Sequence, residues 1–200
     1  MAIKGLSIPV FGKYANSSGT ISYSEGKTIG HAIEYNIDIE TSDDNPLYGD
    51  NMIIEHDNGT FQSGTLTLNT SELTPTVSKW LLGLTENTVT VGAGQDATTV
   101  TEYVYNDDLA PLACGFGIIE LHQINDTDVY KTVILNKVVP NIPSNAATTK
   151  GETIDWQTQE ITFRIERSED AKHSWKREAT HATEAAALAY LNQVLGVSSS

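Results

Sequence analysis

The residues of this chain best suited to acid–base chemistry are its carboxylates. Asp43, Asp44, Asp50 and Glu55 lie close together, and Asp107 and Asp108 are adjacent. Two acids held across a cleft, one with a raised pKa, are what glycoside hydrolysis requires. Spacing alone does not impose that geometry, and with 26 acids in 200 residues such neighbours arise by chance. The plain reading is solvated loop acids, because Asp and Glu are seldom buried unpaired. Asp43-Asp44-Asn45 begins like a calcium loop, but Pro46 and Leu47 stand where an EF-hand places spaced ligands and a glycine.

The other reactive types lead no further. His31, His56, His122, His173 and His181 form no i, i+4 pair and no H-E-x-x-H, so no zinc site is expected. His31 and His122 fall on expected strands as packed side chains, and His173 and His181 flank a mixed-charge, exposed stretch. Cys114 is the single cysteine; it forms no intrachain disulfide and reads as a small core filler. There is no G-x-S-x-G, and Gly92-Ala93-Gly94 lacks the third glycine and the helix of a phosphate loop. Of the three tryptophans, Trp80 sits among leucines at helical spacing and Trp156 precedes a strand. Trp175 lies between charged residues and is the candidate interface aromatic. The expectation is a protein that is not an enzyme and carries no cofactor and no metal.

The elements that must position these residues are mostly strands. From His31 to Glu40, Ile33, Tyr35, Ile37 and Ile39 alternate with Glu34, Asn36, Asp38 and Glu40, the pattern of a half-buried strand with one acidic face. Burying four such apolar side chains contributes about 1.5 to 3 kcal/mol each, against about 1 to 2 kcal/mol per ordered backbone unit. The strand therefore needs a sheet around it. Met52 to His56, Phe61 to Asn69, Thr99 to Tyr105, Gly117 to Ile124, Val129 to Val139 and Ile154 to Arg167 follow the same grammar. Asp57-Asn58-Gly59 predicts a hairpin between the Met52 and Phe61 strands, and Asn125-Asp126-Thr127-Asp128 a second one.

Two helices are expected. Leu73, Val77, Trp80, Leu81 and Leu84 recur at helical spacing from Ser71 to Leu84, with Ser71 or Thr74 as N-cap, Pro75 in the first turn and Gly83 at the stop. Thr183 caps a second helix from Glu184 to Leu195, which Gly196 ends. Thr41 to Asn51, Val91 to Thr98 and Pro140 to Thr153 read as long loops, which in a compact domain usually carry function. Six or seven strands with these helices predict a mainly antiparallel β-sandwich or barrel, a single domain over 1–200 with one flanking helix and one C-terminal helix.

The formal net charge is −14, with acids in excess in both halves. Nucleic-acid binders hold phosphates with Lys and Arg, so gripping contact with DNA is not expected, whereas an acidic wall keeps a polyanion from sticking. The Leu6 to Phe11 patch, broken by Pro9 and Gly12, is too short for a signal segment or a membrane span. A chain made in a reducing cytoplasm is expected.

In order along the chain come Pro9-Val10-Phe11-Gly12-Lys13-Tyr14, the strand after Gly30, Leu47-Tyr48-Gly49-Asp50-Asn51, Glu55, Asp57, and Phe61-x-x-Gly64. They lead into the Leu73 to Gly83 helix with its Leu82-Gly83. This pattern resembles the major tail protein family of long-tailed, non-contractile bacteriophages, best between about residues 8 and 85. The resemblance implies a β-sandwich or barrel that assembles as stacked hexameric rings, a hollow tail tube through which DNA is delivered without specific binding. It implies an N-terminal arm 1–17, a long inter-subunit loop 41–60 and a C-terminal strand plus helix 152–196. It also implies contacts with a tape-measure protein and tail-end proteins, assembly in the host cytoplasm, and residence in the virion. The loop role carries over to Leu47, Tyr48, Asp50, Asn51 and Glu55. Glu34, Asp38 and Glu40 are candidate lumen-facing acids. The alternative expectation is a carbohydrate-binding β-sandwich module of a virion or cell surface.

Overall fold

The computed structural model describes residues 2–57, 59–144 and 158–198. Its main sheet is antiparallel. In it β1 (Ala2–Ser17), β2 (Thr20–Thr28), β3 (Ala32–Thr41), β6 (Phe61–Thr70), β9 (Cys114–Ile124), β10 (Thr127–Pro140) and β11 (Gln159–Glu166) run in the order β2-β1-β9-β10-β11-β6-β3, and β12 (Lys176–His181) pairs with β10. Two hairpins stand apart from it: β4 (Asn45–Gly49) with β5 (Met52–Asp57), and β7 (Thr85–Val91) with β8 (Thr98–Val104).

Sharp turns set the registers. Asn125 and Asp126 have φ of +48° and +61°, joining β9 to β10, and Ser18 and Gly19 have +51° and +84°, joining β1 to β2. Positive φ at both central residues is what a two-residue turn needs if its twist is to match the strands. One face of the curved sheet makes the core. Phe11 of β1 packs on Phe116 of β9 and Phe163 of β11 with ring centres 5.0 and 5.1 Å apart, beside Leu66, Leu68, Val133 and Cys114. Tyr35 of β3 donates its hydroxyl proton to Glu120 of β9, although three strands separate β3 from β9 in the sheet. The sheet therefore folds back on itself, sandwich fashion.

Helix α1 (Pro75–Leu82) follows the Thr74 N-cap with proline at its start and ends at Gly83, whose φ of +68° is left-handed. Leu81 and Leu82 enter the core. Helix α2 (Glu184–Leu195) covers the opposite face of β1, β9 and β10. Thr183 Oγ1 accepts from the Ala186 amide at 3.2 Å, and Gly196 ends the helix. Ala187, Leu191 and Leu195 meet Val10, Ile119 and Ile134. The approach is close: a Cβ on Gly117 would lie 2.8 Å from Leu191 Cδ2, and one on Gly12 would lie 2.2 Å from the Leu195 carbonyl oxygen. Side chains at these two positions would hold the helix off the sheet.

Several expectations are corrected. Residues 2–17, within the expected N-terminal arm 1–17, form a long strand that pairs with β9 along its first part and with β2 along its second. Strand β5 pairs with β4, and β6 with β3 and β11, so the Asp57-Asn58-Gly59 segment does not join partners; Asn58 itself lies outside the described residues. The Thr41 to Asn51 loop contains β4, and Val91 to Thr98 is the tip of the β7–β8 ribbon. A bulge between Ala32 and Glu34 moves Ile33 off the inner face, leaving it 50% exposed while Ala32 packs on the core. His31 is exposed and precedes its strand. Most of the Pro140 to Thr153 loop, the strand start at Ile154 and Trp156 lie outside the described residues.

Candidate assembly surface

All five residues assigned to an assembly loop share the β4–β5 hairpin: Leu47, Tyr48 and Glu55 lie on its strands, and Asp50 and Asn51 form its turn with φ of +49° and +64°. Leu47 faces Glu55 across the ladder and Tyr48 faces Ile53. Among the described residues the hairpin belongs to no larger sheet. Leu47, Tyr48, Met52 and Ile54 are 57%, 66%, 68% and 66% exposed. An isolated two-stranded ribbon is marginal in water, and clustered exposed apolar side chains make this hairpin the candidate contact surface. At its base His56 Nδ1 lies 2.7 Å from Asp44 Oδ2.

Glu34, Asp38 and Glu40 do share a surface. They project with Asn36 from the outer side of β3, in register with Asn69, Thr67, Thr65 and Ser63 of β6, the first three of which pair in turn with Glu160, Thr162 and Arg164 of β11. Asn36 Nδ2 donates to Asp38 Oδ2 at 2.9 Å and Ser63 Oγ to Glu40 Oε2 at 2.6 Å. No helix packs on this face among the described residues. Its cation Arg164 is engaged by Glu166 at 2.6 Å, and Lys137 beside it by Glu166 and Glu169. The free edge of β3 lies next to these acids, since β3 ends the strand order.

Trp175 is committed within the chain. Its ring stacks on Phe61 with centres 4.9 Å apart and planes 8° apart, against the core. Trp80 also packs on the core. The exposed tyrosines Tyr48 and Tyr105 belong to separate hairpin regions. Cys114 is fully buried and burial pushes its thiol pKa up, an inert core thiol. Asp43, Asp44, Asp107 and Asp108 are all exposed. Among the described residues no three His, Cys, Asp or Glu side chains converge on a metal position.

Two features escaped the sequence reading. The β7–β8 ribbon exposes Val89, Val91 and Val100, with Val89 directly opposite Val100; its signal was the Thr–Val alternation on either side of Gly92. The second is a buried polar cluster. Glu120 and His122, each 4% exposed, lie in phase with Phe116 and Ile118 on β9. His122 Nε2 is 2.7 Å from Glu120 Oε2, and Lys131 Nζ approaches the same oxygen at 4.0 Å. Burial, then the Glu120 carboxylate, raise the pKa of Tyr35. The cluster ties β3 to β9.

No protein-family model matches this chain, and no curated protein matches it. No helix of the described residues is long and apolar enough to cross a membrane.

Proposed function

We propose that this chain is a structural subunit that works by pairing with copies of itself. In this reading it is the repeating unit of a phage tail tube, made of hexameric rings stacked around an open bore, with a tape-measure protein inside during assembly and other proteins at the ends. The observation that carries the reading is the β4–β5 hairpin, which displays Leu47, Tyr48, Met52, Ile53 and Ile54 with no other strand beside it among the described residues. The outer edges of β2 and β3, unpaired among the described residues, support it, because exposed edges template pairing that solitary proteins block. A hairpin on one copy meeting a different surface on the next is a heterologous contact, which closes into rings or runs on as filaments.

The acidic face of β3, β6 and β11 suits the wall of a conduit. DNA beside Glu34, Asp38 and Glu40 is repelled within a screening length of about 8 Å at physiological salt and is not held. Electron microscopy of the concentrated protein tests assembly, with annuli or tubes expected; dispersed single particles at every concentration would contradict it. The combined variant Glu34→Lys, Asp38→Lys, Glu40→Lys is expected to keep tubes intact and slow genome delivery. Unchanged delivery would remove these residues from the bore.

A further inference from the structure

The cations of this chain are segregated. No Lys or Arg occurs between Lys27 and Lys79, a stretch that contains β3 to β6 and the whole exposed hairpin, whereas Arg164, Arg167, Lys172, Lys176 and Arg177 crowd one short segment. That segment forms the end of β11, the connecting loop and the start of β12. The hairpin is thus acidic as well as apolar, with Asp44, Asp50 and Glu55 beside Leu47 and Tyr48.

A crevice of about 350 Å³ opens beside this segment, lined by Thr20, Tyr23, Asn136, Asp170, Ser174 and Arg177 among others; no hairpin residue lines it. Its walls are fixed by short hydrogen bonds. The Tyr23 hydroxyl donates to the Asn136 carbonyl at 2.8 Å, and Asn136 Nδ2 donates to the Ser174 carbonyl at 3.0 Å. Arg177 Nε donates to Asn136 Oδ1 at 2.7 Å, which orients the guanidinium. Neighbouring Lys176 is paired with Glu178 at 2.6 Å, while Arg177 has no ion-pair partner among the described residues. Asp170, the one acid of the lining, already accepts the Ser174 amide at 2.8 Å.

We propose that this crevice receives the β4–β5 hairpin of a second copy, with an apolar side chain of the hairpin seated beside Tyr23 and its carboxylates facing Arg177. The inference rests on the self-assembly reading and names the receiving surface. Two other recesses fit less well. The one between Leu73, Tyr103, Tyr105 and Gln159 has no cation in its lining. In the one at Gln62 and Ser63, Arg164 is held by Glu166 and Arg167 by the Phe61 carbonyl. Opposite charges across such a contact steer encounter and fix register, and reversing one of them juxtaposes like charges.

The test is sedimentation velocity on the full chain, comparing wild type with Glu55→Lys, Arg177→Glu and the double variant. Each single reversal is expected to raise the concentration needed for assembly at least about tenfold, and the double variant to recover most of that loss. Melting curves check folding; should Arg177→Glu lower the melting temperature through Asn136, Arg177→Gln, which keeps a donor there, and Glu55→Lys decide. Assembly of both at wild-type concentration would overturn the docking assignment and leave self-assembly standing. A wild-type chain that stays monomeric would overturn both. Binding of a DNA oligonucleotide that Arg177→Gln abolishes, with assembly unaffected, would also overturn the assignment.

Discussion

The outer side of one sheet is used in two opposite ways. Under α2, the outward positions of β1, β9 and β10 are Val10, Gly117, Ile119 and Ile134, small or apolar residues that exclude water. On β3, β6 and β11 the outward positions are Glu34, Asp38, Glu40, Thr65, Thr67 and Arg164, and nothing of the described chain covers them. The two regions share backbone geometry and the same core beneath. What separates them is the second set of alternating positions, which in one region completes a folded layer and in the other faces outward. The β4–β5 hairpin breaks this rule, being apolar and uncovered at once, and it is for that reason the candidate interface.

The largest effect on folding is expected beneath α2. Leu191→Ala removes a fully buried side chain and should cost about 2 to 5 kcal/mol in urea unfolding; a loss below about 1 kcal/mol would mean that α2 is not a fixed layer. Next comes Tyr35→Phe, which deletes a hydrogen bond to a buried carboxyl group. About 1.5 to 3 kcal/mol is expected, with the greatest rise in amide exchange on β3.

Smaller still is an acid-limb effect. The Ser174 backbone amide, ahead of the neighbouring hydroxyls, holds Asp170 below its ordinary pKa. A depressed carboxyl stabilises the fold above its unfolded pKa, and that contribution fades as the pH falls through the folded value. Asp170→Asn should therefore flatten the decline in melting temperature below about pH 5, and an unaltered acid limb would remove Asp170 from the account. Least of all, Glu34→Gln, Asp38→Gln and Glu40→Gln, made singly, should each change monomer stability by no more than about 0.5 kcal/mol, as exposed substitutions do. A larger loss would show that this face is packed after all.

The legibility of the fold followed how local its causes are. Helix α2 could be read because Thr183 and Gly196 act within a few residues of the ends they cap, and β9–β10 because Asn125-Asp126 is itself the turn. Strand β3 was recognised with one slip, since the bulge displacing Ile33 is imposed by its pairing with β6. Strand β2 was missed because Thr20–Thr28 is largely polar; it is an edge strand, and Gly26 lies against the end of α2. The Asp50-Asn51 turn lacks glycine, so Asp57-Asn58-Gly59 looked the stronger hairpin signal, and β5 was matched to the wrong neighbour. Leu47, Tyr48 and the acids of β3 were named from pattern and resemblance. Glu120 and His122 were not read as a cluster, because only the closing of the sheet brings Tyr35 over them.

The central claim is that the β4–β5 hairpin is an interface in waiting, and its most direct test is sedimentation velocity of the wild-type chain beside a Tyr48→Ser, Ile54→Ser variant across a wide concentration range. Concentration-dependent assembly of the wild type is predicted, with the variant folded, equally stable within about 0.5 kcal/mol, and monomeric. A wild type that remains monomeric throughout, or a variant that assembles as readily, would contradict the account.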